Sequence, residues 1–154
     1  MTLWDFANRV HAQPGVEAAC LSLQDDHGQC VSFLLWRLWT LAERRAVDGT
    51  LLGDAVTAAR TWEAAATSPL RTVRRRLKTL PSQIPADGQA RLREAIKAAE
   101  LESERLLLKA LEAMTPAASG LNPGVERALR TAALAWGGPA APPALLRVLA
   151  KAIA

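Results

Sequence analysis

The sequence predicts an all-α fold: a helical bundle with three N-terminal helices, a long antiparallel helical hairpin and two short C-terminal helices. Three observations carry that prediction. Alanine and leucine dominate a chain that is 50% hydrophobic, has no Tyr and is poor in β-branched residues, which favours helix over strand. Apolar residues recur at helical spacing in nearly every segment. Pro14, Gly28, Asp48-Gly49 and Gly137-Gly138 punctuate those segments where helices would start or stop. At 154 residues the chain suits one domain, 1–154, with a body over 1–114 and a variable C-terminal part over 115–154.

Thr2 caps the first helix with Asp5 three residues on, and Leu3, Phe6, Ala7 and Val10 share one face. That helix ends near His11–Gln13, because Pro14 pushes its predecessor out of the α region. Pro14 opens the second helix, Glu17 suits its dipole, and Val16, Cys20, Leu21 and Leu23 are its apolar contacts. Gly28 is its left-handed stop. The third helix runs from about Gln29 to Val47 and is apolar on nearly all sides, as a buried central helix is.

Asp48-Gly49-Thr50 caps the next helix, where Leu52, Val56, Ala59 and Trp62 keep helical spacing. Ser68-Pro69 either kinks or divides it. Leu70, Val73, Leu77 and Leu80 continue the stripe, and PSQIPADG (81–88) is a turn. A helix from about Asp87 to Met114 follows, with Leu92, Ile96, Ala99 and Leu106 expected inward and Glu94–Lys97, Glu102–Arg105 and Lys109–Glu112 paired outside. Spans 51–80 and 87–114 are nearly equal, which gives the hairpin arms of about 40 Å. Thr115–Asn122 reads as loop and Pro123–Trp136 as a short helix. The Gly/Pro-rich linker 137–143 precedes a last amphipathic helix that docks on the body or on a partner.

Neither a signal peptide nor an uninterrupted apolar run of spanning length is visible, so a cytoplasmic protein without membrane contact is expected. Cys20 and Cys30 read as buried, reduced thiols, and no metal-ligand spacing accompanies them. Trp4, Trp36, Trp39 and Trp62 fall on core stripes, and Trp136 beside two glycines reads as exposed. No P-loop, HExxH, nucleophile elbow or CxxC is present, and neither a cofactor nor a metal is expected.

Two groups of residues could carry function. Gln24, Asp25, Asp26 and His27 form a polar break between two apolar helices, and Arg37 stands alone among large apolar side chains on the next one. A buried guanidinium needs an acid, so the expected arrangement is a structural Arg37–carboxylate network with Asp25 or Asp26. An enzyme or small-ligand site on Asp25, Asp26, His27 and Arg37 is the alternative.

The second group is Arg71, Arg74, Arg75 and Lys78, on one helical face, with Arg76 beside them. No acid intervenes between Glu63 and Asp87, and this segment outweighs the chain's whole net charge of +4. The expectation is a non-catalytic interaction or adaptor protein that presents the basic face to an acidic protein or, more weakly, to nucleic acid. Aromatic residues do not interleave with the arginines, which argues against RNA specificity. A self-assembling scaffold, a homo-oligomer built through the hairpin or terminal helix, is a third reading.

LWDFANRV, PGVEAACLSLQDDHGQCVSFLLWRLW and PLRTVRRRLK together resemble a family of small uncharacterised proteobacterial proteins carried as a domain of unknown function. The resemblance covers roughly residues 3–80. It implies a bacterial cytosolic setting and supplies no activity, so it assigns no catalytic residue.

Overall fold

A computed structural model describes residues 1–79, 83–117, 119–120 and 123–153. Among these residues every regular element is helical, save an isolated backbone bridge between Arg45 and Ser119. Leu80, Pro81 and Ser82 of the expected stripe and turn lie outside the described residues, as do Ala118, Leu121 and Asn122 of the expected loop.

Helix α1 spans Leu3–His11, and the Thr2 hydroxyl accepts the Asp5 N–H at 3.1 Å, as the capping pattern requires. Helix α2 spans Val16–Asp25 and α3 spans Val31–Ala42. Between them Gly28 has φ +60°, a left-handed conformation that favours glycine over residues with a Cβ. The α3 helix is shorter than expected at both ends but central as expected: Phe33, Leu34, Trp36, Leu38 and Trp39 are fully buried. Phe33 and Trp36 stack at 5.4 Å. Their neighbour satisfies the indole: Trp36 Nε1 donates to Thr115 Oγ1 at 2.8 Å, and that hydroxyl donates to the Leu111 carbonyl at 2.6 Å.

Helix α4 (Gly49–Trp62) runs into a π-helical segment, Glu63–Thr67, and then α5 (Ser68–Arg76). Pro69 therefore neither breaks nor sharply divides the rod. A proline lacks the N–H of the regular ladder and crowds the carbonyl four residues back, and the widened turn before it accommodates both. Thr67 Oγ1 and Ser103 Oγ, 2.9 Å apart, and Trp62 Nε1, 2.8 Å from the Ser103 carbonyl, fasten this stretch to α6 (Ala86–Ala113).

The inward face of α6 differs from the sequence expectation. Leu92 and Leu106 are about half exposed and Ala99 is exposed, whereas Glu100, Ser103, Leu107, Leu108 and Leu111 are buried. Leucine occurs on several faces of this helix, so periodicity alone could not select the buried one. Glu112, expected to pair outward with Lys109, instead accepts the Leu3 N–H at 3.0 Å and serves the open end of α1.

Helices α7 (Val125–Trp136) and α8 (Pro143–Lys151) complete the core. Leu129, Ala132, Leu146 and Leu149 are buried in the same cluster as Phe33 and Trp36, so the terminal helix docks on the body. Trp136, expected exposed, is half-buried, and its indole donates to the Gly28 carbonyl at 2.8 Å. No described helix is long and apolar enough to cross a membrane.

A charged cleft where α5 crosses α6

The cationic row does not stand free. Arg71 turns toward α6 and meets carboxylates from two elements: Nε lies 3.0 Å from Glu100, NH2 3.5 Å from Glu104 and NH1 3.6 Å from Glu63. Arg74 reaches Glu100 as well, and Arg75 reaches Asp25 on α2. The segment is acid-free in sequence and partly neutralised in space, because α6, the π-helical turn and α2 bring carboxylates to Arg71, Arg74 and Arg75. Arg76 and Lys78 stay exposed.

The polar break is divided differently from the expectation. Gln24 Nε2 donates to Asp25 Oδ1 at 3.0 Å, so Gln24, Asp25 and Arg75 form one chain of contacts. Asp26 only accepts the Ser22 hydroxyl at 2.7 Å. Arg37 meets neither aspartate. Its NH1 donates to Thr40 Oγ1 at 2.8 Å, one turn along its own helix, and no carboxylate pairs with it among the described residues. Arg37 sits six residues into α3, about 9 Å along the axis from its start.

Two open clefts adjoin this network. One, of about 510 Å³, lies among α1, α2, α3, α5 and α6. Trp4, Leu21, Leu35, Leu101 and Leu108 supply its apolar walls, and Glu63, Arg71, Arg74, Glu100 and Glu104 its charged end. The other, of about 410 Å³, is lined by Asp25, Gln29, Arg60, Ser68, Arg75 and Trp136. Gln24, Glu63 and Arg71 line both, so Arg71 stands at their junction. His27 and Arg37 line neither.

Electrostatics sort these groups. Burial pushes the Glu104 carboxyl up to about 7; Arg71 opposes the rise, and Glu100 and Glu63 add to it. Burial also acts to raise Asp25, but the Gln24 hydrogen bond and the Arg75 guanidinium outweigh it and hold the carboxyl below its usual range. The Glu100 hydrogen bond strengthens the hold of Arg74 on its proton. Cys20 is pushed up to about 12 by burial and by Glu104 and Glu17, and Cys30 is pushed up chiefly by burial with Glu63 nearby. Both thiols are buried and free, as their apolar neighbours in sequence led one to expect, and their raised values keep them protonated. No group of side chains suited to a metal occurs among the described residues.

The sequence reading misses Glu63, Glu100 and Glu104. A signal is present: Glu100 and Glu104 are one turn apart on α6 with Ser103 between them, a polar strip in a helix whose other leucines need a wall.

Residues 2–111 match the family model described as "Protein of unknown function (DUF2390)". The chain belongs to that family. The match reaches well past residue 80, so the DUF2390 region takes in Glu63, Arg71, Arg74, Glu100 and Glu104 and ends before α7 and α8. No curated protein and no solved structure matches the chain.

Proposed function

We propose that this protein is a small-ligand-binding protein whose site is the larger cleft, and that its ligand carries an amine on an apolar body. The observation that carries this reading is the half-satisfied Glu104 carboxyl at the end of the cleft where Glu63, Glu100 and Glu104 face Arg71 and Arg74; Glu17, Arg93 and Lys97 line the cleft as well. Glu100 is closed off by both guanidiniums. Glu104 holds Arg71 by one long contact, and about a third of its side chain is open to solvent. An ammonium group at Glu104 would complete the pairing there, whereas an anion at Arg71 or Arg74 would have to displace Glu100. Leu21 and Leu101, each about half exposed, offer the apolar body a surface beside Trp4. The antiparallel hairpin reading of α4–α5 against α6 gives the site a rigid wall. A cytoplasmic setting is part of the proposal, and catalysis is not.

Titration with hexylammonium, hexanoate and hexanol tests it, read by calorimetry and by the Trp4 indole resonance. Hexylammonium should bind, shift Trp4, and lose at least tenfold in affinity in Glu104→Gln. Preference for hexanoate, or no response to any of the three, would overturn the reading.

A second reading keeps one support: Arg76 and Lys78 are exposed at the end of α5 and form no ion pair among the described residues. They would serve contact with an acidic protein surface. Capture from lysate at low and high salt, with Arg76→Ala/Lys78→Ala beside the parent, decides it; an unchanged partner set in the variant removes it.

A further inference from the structure

The far end of α3 holds a positive charge that the described protein does not balance. Arg37 is 7% exposed, yet its guanidinium has one hydrogen bond, to a neutral hydroxyl. The guanidinium is mostly enclosed without a facing carboxylate among the described residues, and burial loosens the hold of Arg37 on its proton. The nearest acids in sequence are engaged elsewhere. Glu43 lies 3.8 Å from the Met1 amine, and Asp48 caps α4 by accepting the Leu51 N–H at 2.8 Å.

The negative end of the α3 dipole is also partly spent. The Trp39, Thr40 and Leu41 carbonyls accept the N–H groups of Glu43, Arg45 and Arg44.

More cations are gathered at the same place. Arg37, Arg44 and Arg45 line one small void with Thr40, Gly120 and Pro123. Its volume of about 10 Å³ suits one oxygen-sized atom. Arg45 is held over the Trp39 ring at 4.4 Å, and Arg44 has φ +53°, a conformation uncommon for a residue with a Cβ. That backbone is fixed from the other side. Gly120 N donates to the Arg44 carbonyl at 3.1 Å, Ser119 bridges to Arg45, and a Cβ on Gly120 would lie 2.6 Å from the Ala46 Cα. The 119–120 segment thus presses on the 44–46 segment and sets Arg37, Arg44 and Arg45 around one opening, with Arg45 NH1 also 3.4 Å from the Thr115 carbonyl it donates to. Strained backbone held in place from outside is a frequent property of ligand sites.

We infer that Arg37, Arg44 and Arg45 form a binding site for a phosphate-type oxyanion, with one oxygen seated at Arg37 and the others met by Arg44 and Arg45. Guanidinium groups suit this chemistry because each offers several N–H donors in a plane. The site is separate from the α5–α6 cleft, and the inference stands without the amine reading.

Calorimetric titration with inorganic phosphate and with glycerol phosphate, at constant ionic strength set by sodium chloride, tests it. Saturable binding of either is expected, and the tighter of the two tells free phosphate from a phosphate ester. Arg44→Ala, at an exposed position, should weaken binding at least tenfold, and Arg75→Ala, on α5, should leave it unchanged. Arg37→Met should abolish binding without lowering the melting temperature, since it removes a mostly enclosed charge that no carboxylate pairs among the described residues. No saturable binding, or equal binding in Arg44→Ala, would overturn the inference.

Discussion

Arg71 Nε donates to Glu100 Oε1 at 3.0 Å, across 29 residues of sequence and from one helix to another. The contact converts what reads as an outward cationic row into a wall of an internal cleft. Both side chains are largely enclosed, with 12% and 9% of their surface exposed. Removing one partner of such a pair leaves the other charge uncompensated.

Glu100→Ala should therefore cost on the order of 3 kcal/mol in unfolding free energy, since it strands Arg74 and leaves Arg71 only its longer contacts to Glu63 and Glu104. The Arg75–Asp25 pair is about half exposed on both sides, so Arg75→Ala should cost less than about 1 kcal/mol. Urea denaturation of the two variants measures the contrast; equal costs would mean that the α5–α6 network is no more buried than the surface pair.

Stability should fall as pH rises through the range between the ordinary glutamate value and neutrality. Glu104 in the folded protein titrates at about 7 against an ordinary glutamate value of 4.5, so within that window the folded state holds a proton that the unfolded chain has released. The effect is complete above pH 7 and absent below about pH 4. After allowance for the open third of the side chain, it is on the order of 1–2 kcal/mol. Arg71, Glu63, Glu100 and Cys20 face the same carboxyl. Asp25, held below its usual value, works in the opposite sense: its contribution is present above the unfolded value and is lost only in stronger acid. Melting curves from pH 4 to 8 should show the decline in the parent and a flatter profile in Glu104→Gln.

Cys20 and Cys30 should resist a thiol reagent such as Ellman's at pH 8 in the folded protein and react fully after unfolding. Both are buried and both are raised well above the pH of the assay. Rapid labelling of the native protein would show that α2 and the start of α3 open readily.

A chain ending at residue 114 keeps the whole DUF2390 match but should not fold cooperatively. It loses Leu129, Ala132, Leu146 and Leu149 from the core and takes away Thr115, which satisfies the Trp36 indole. Loss of the cooperative thermal transition, with binding of a hydrophobic dye, is the expected result. A sharp transition near that of the parent would show that α7 and α8 are dispensable.

The legible parts of the sequence are those where one local property decides the outcome. An α3 that is apolar on nearly all sides is buried, Thr2 before Asp5 caps α1, and Gly28 ends the α2 region. What escapes a reading of the sequence depends on which faces meet. The polar break before α3 suggests Asp25 or Asp26 as the partner of Arg37, yet α3 carries Arg37 away from that junction to the void it lines with Arg44 and Arg45. Periodicity puts the buried face of α6 at the leucines of positions 92 and 106, yet a strip containing Glu100 and Ser103 faces the arginines of α5. Charge in one helix selects the face of another, and that information is not local.

The state of the Arg71 and Arg74 side chains is the most direct test of the cleft. Their Nε–H groups can be followed by NMR as hydrogen exchange with solvent, with exposed Arg76 as the internal reference. Held by Glu100, the Arg71 and Arg74 signals should exchange at least tenfold more slowly than that of Arg76, and the protection should vanish in Glu100→Gln. Exchange at the Arg76 rate in the parent protein would contradict the internal network and return all three arginines to the outer surface.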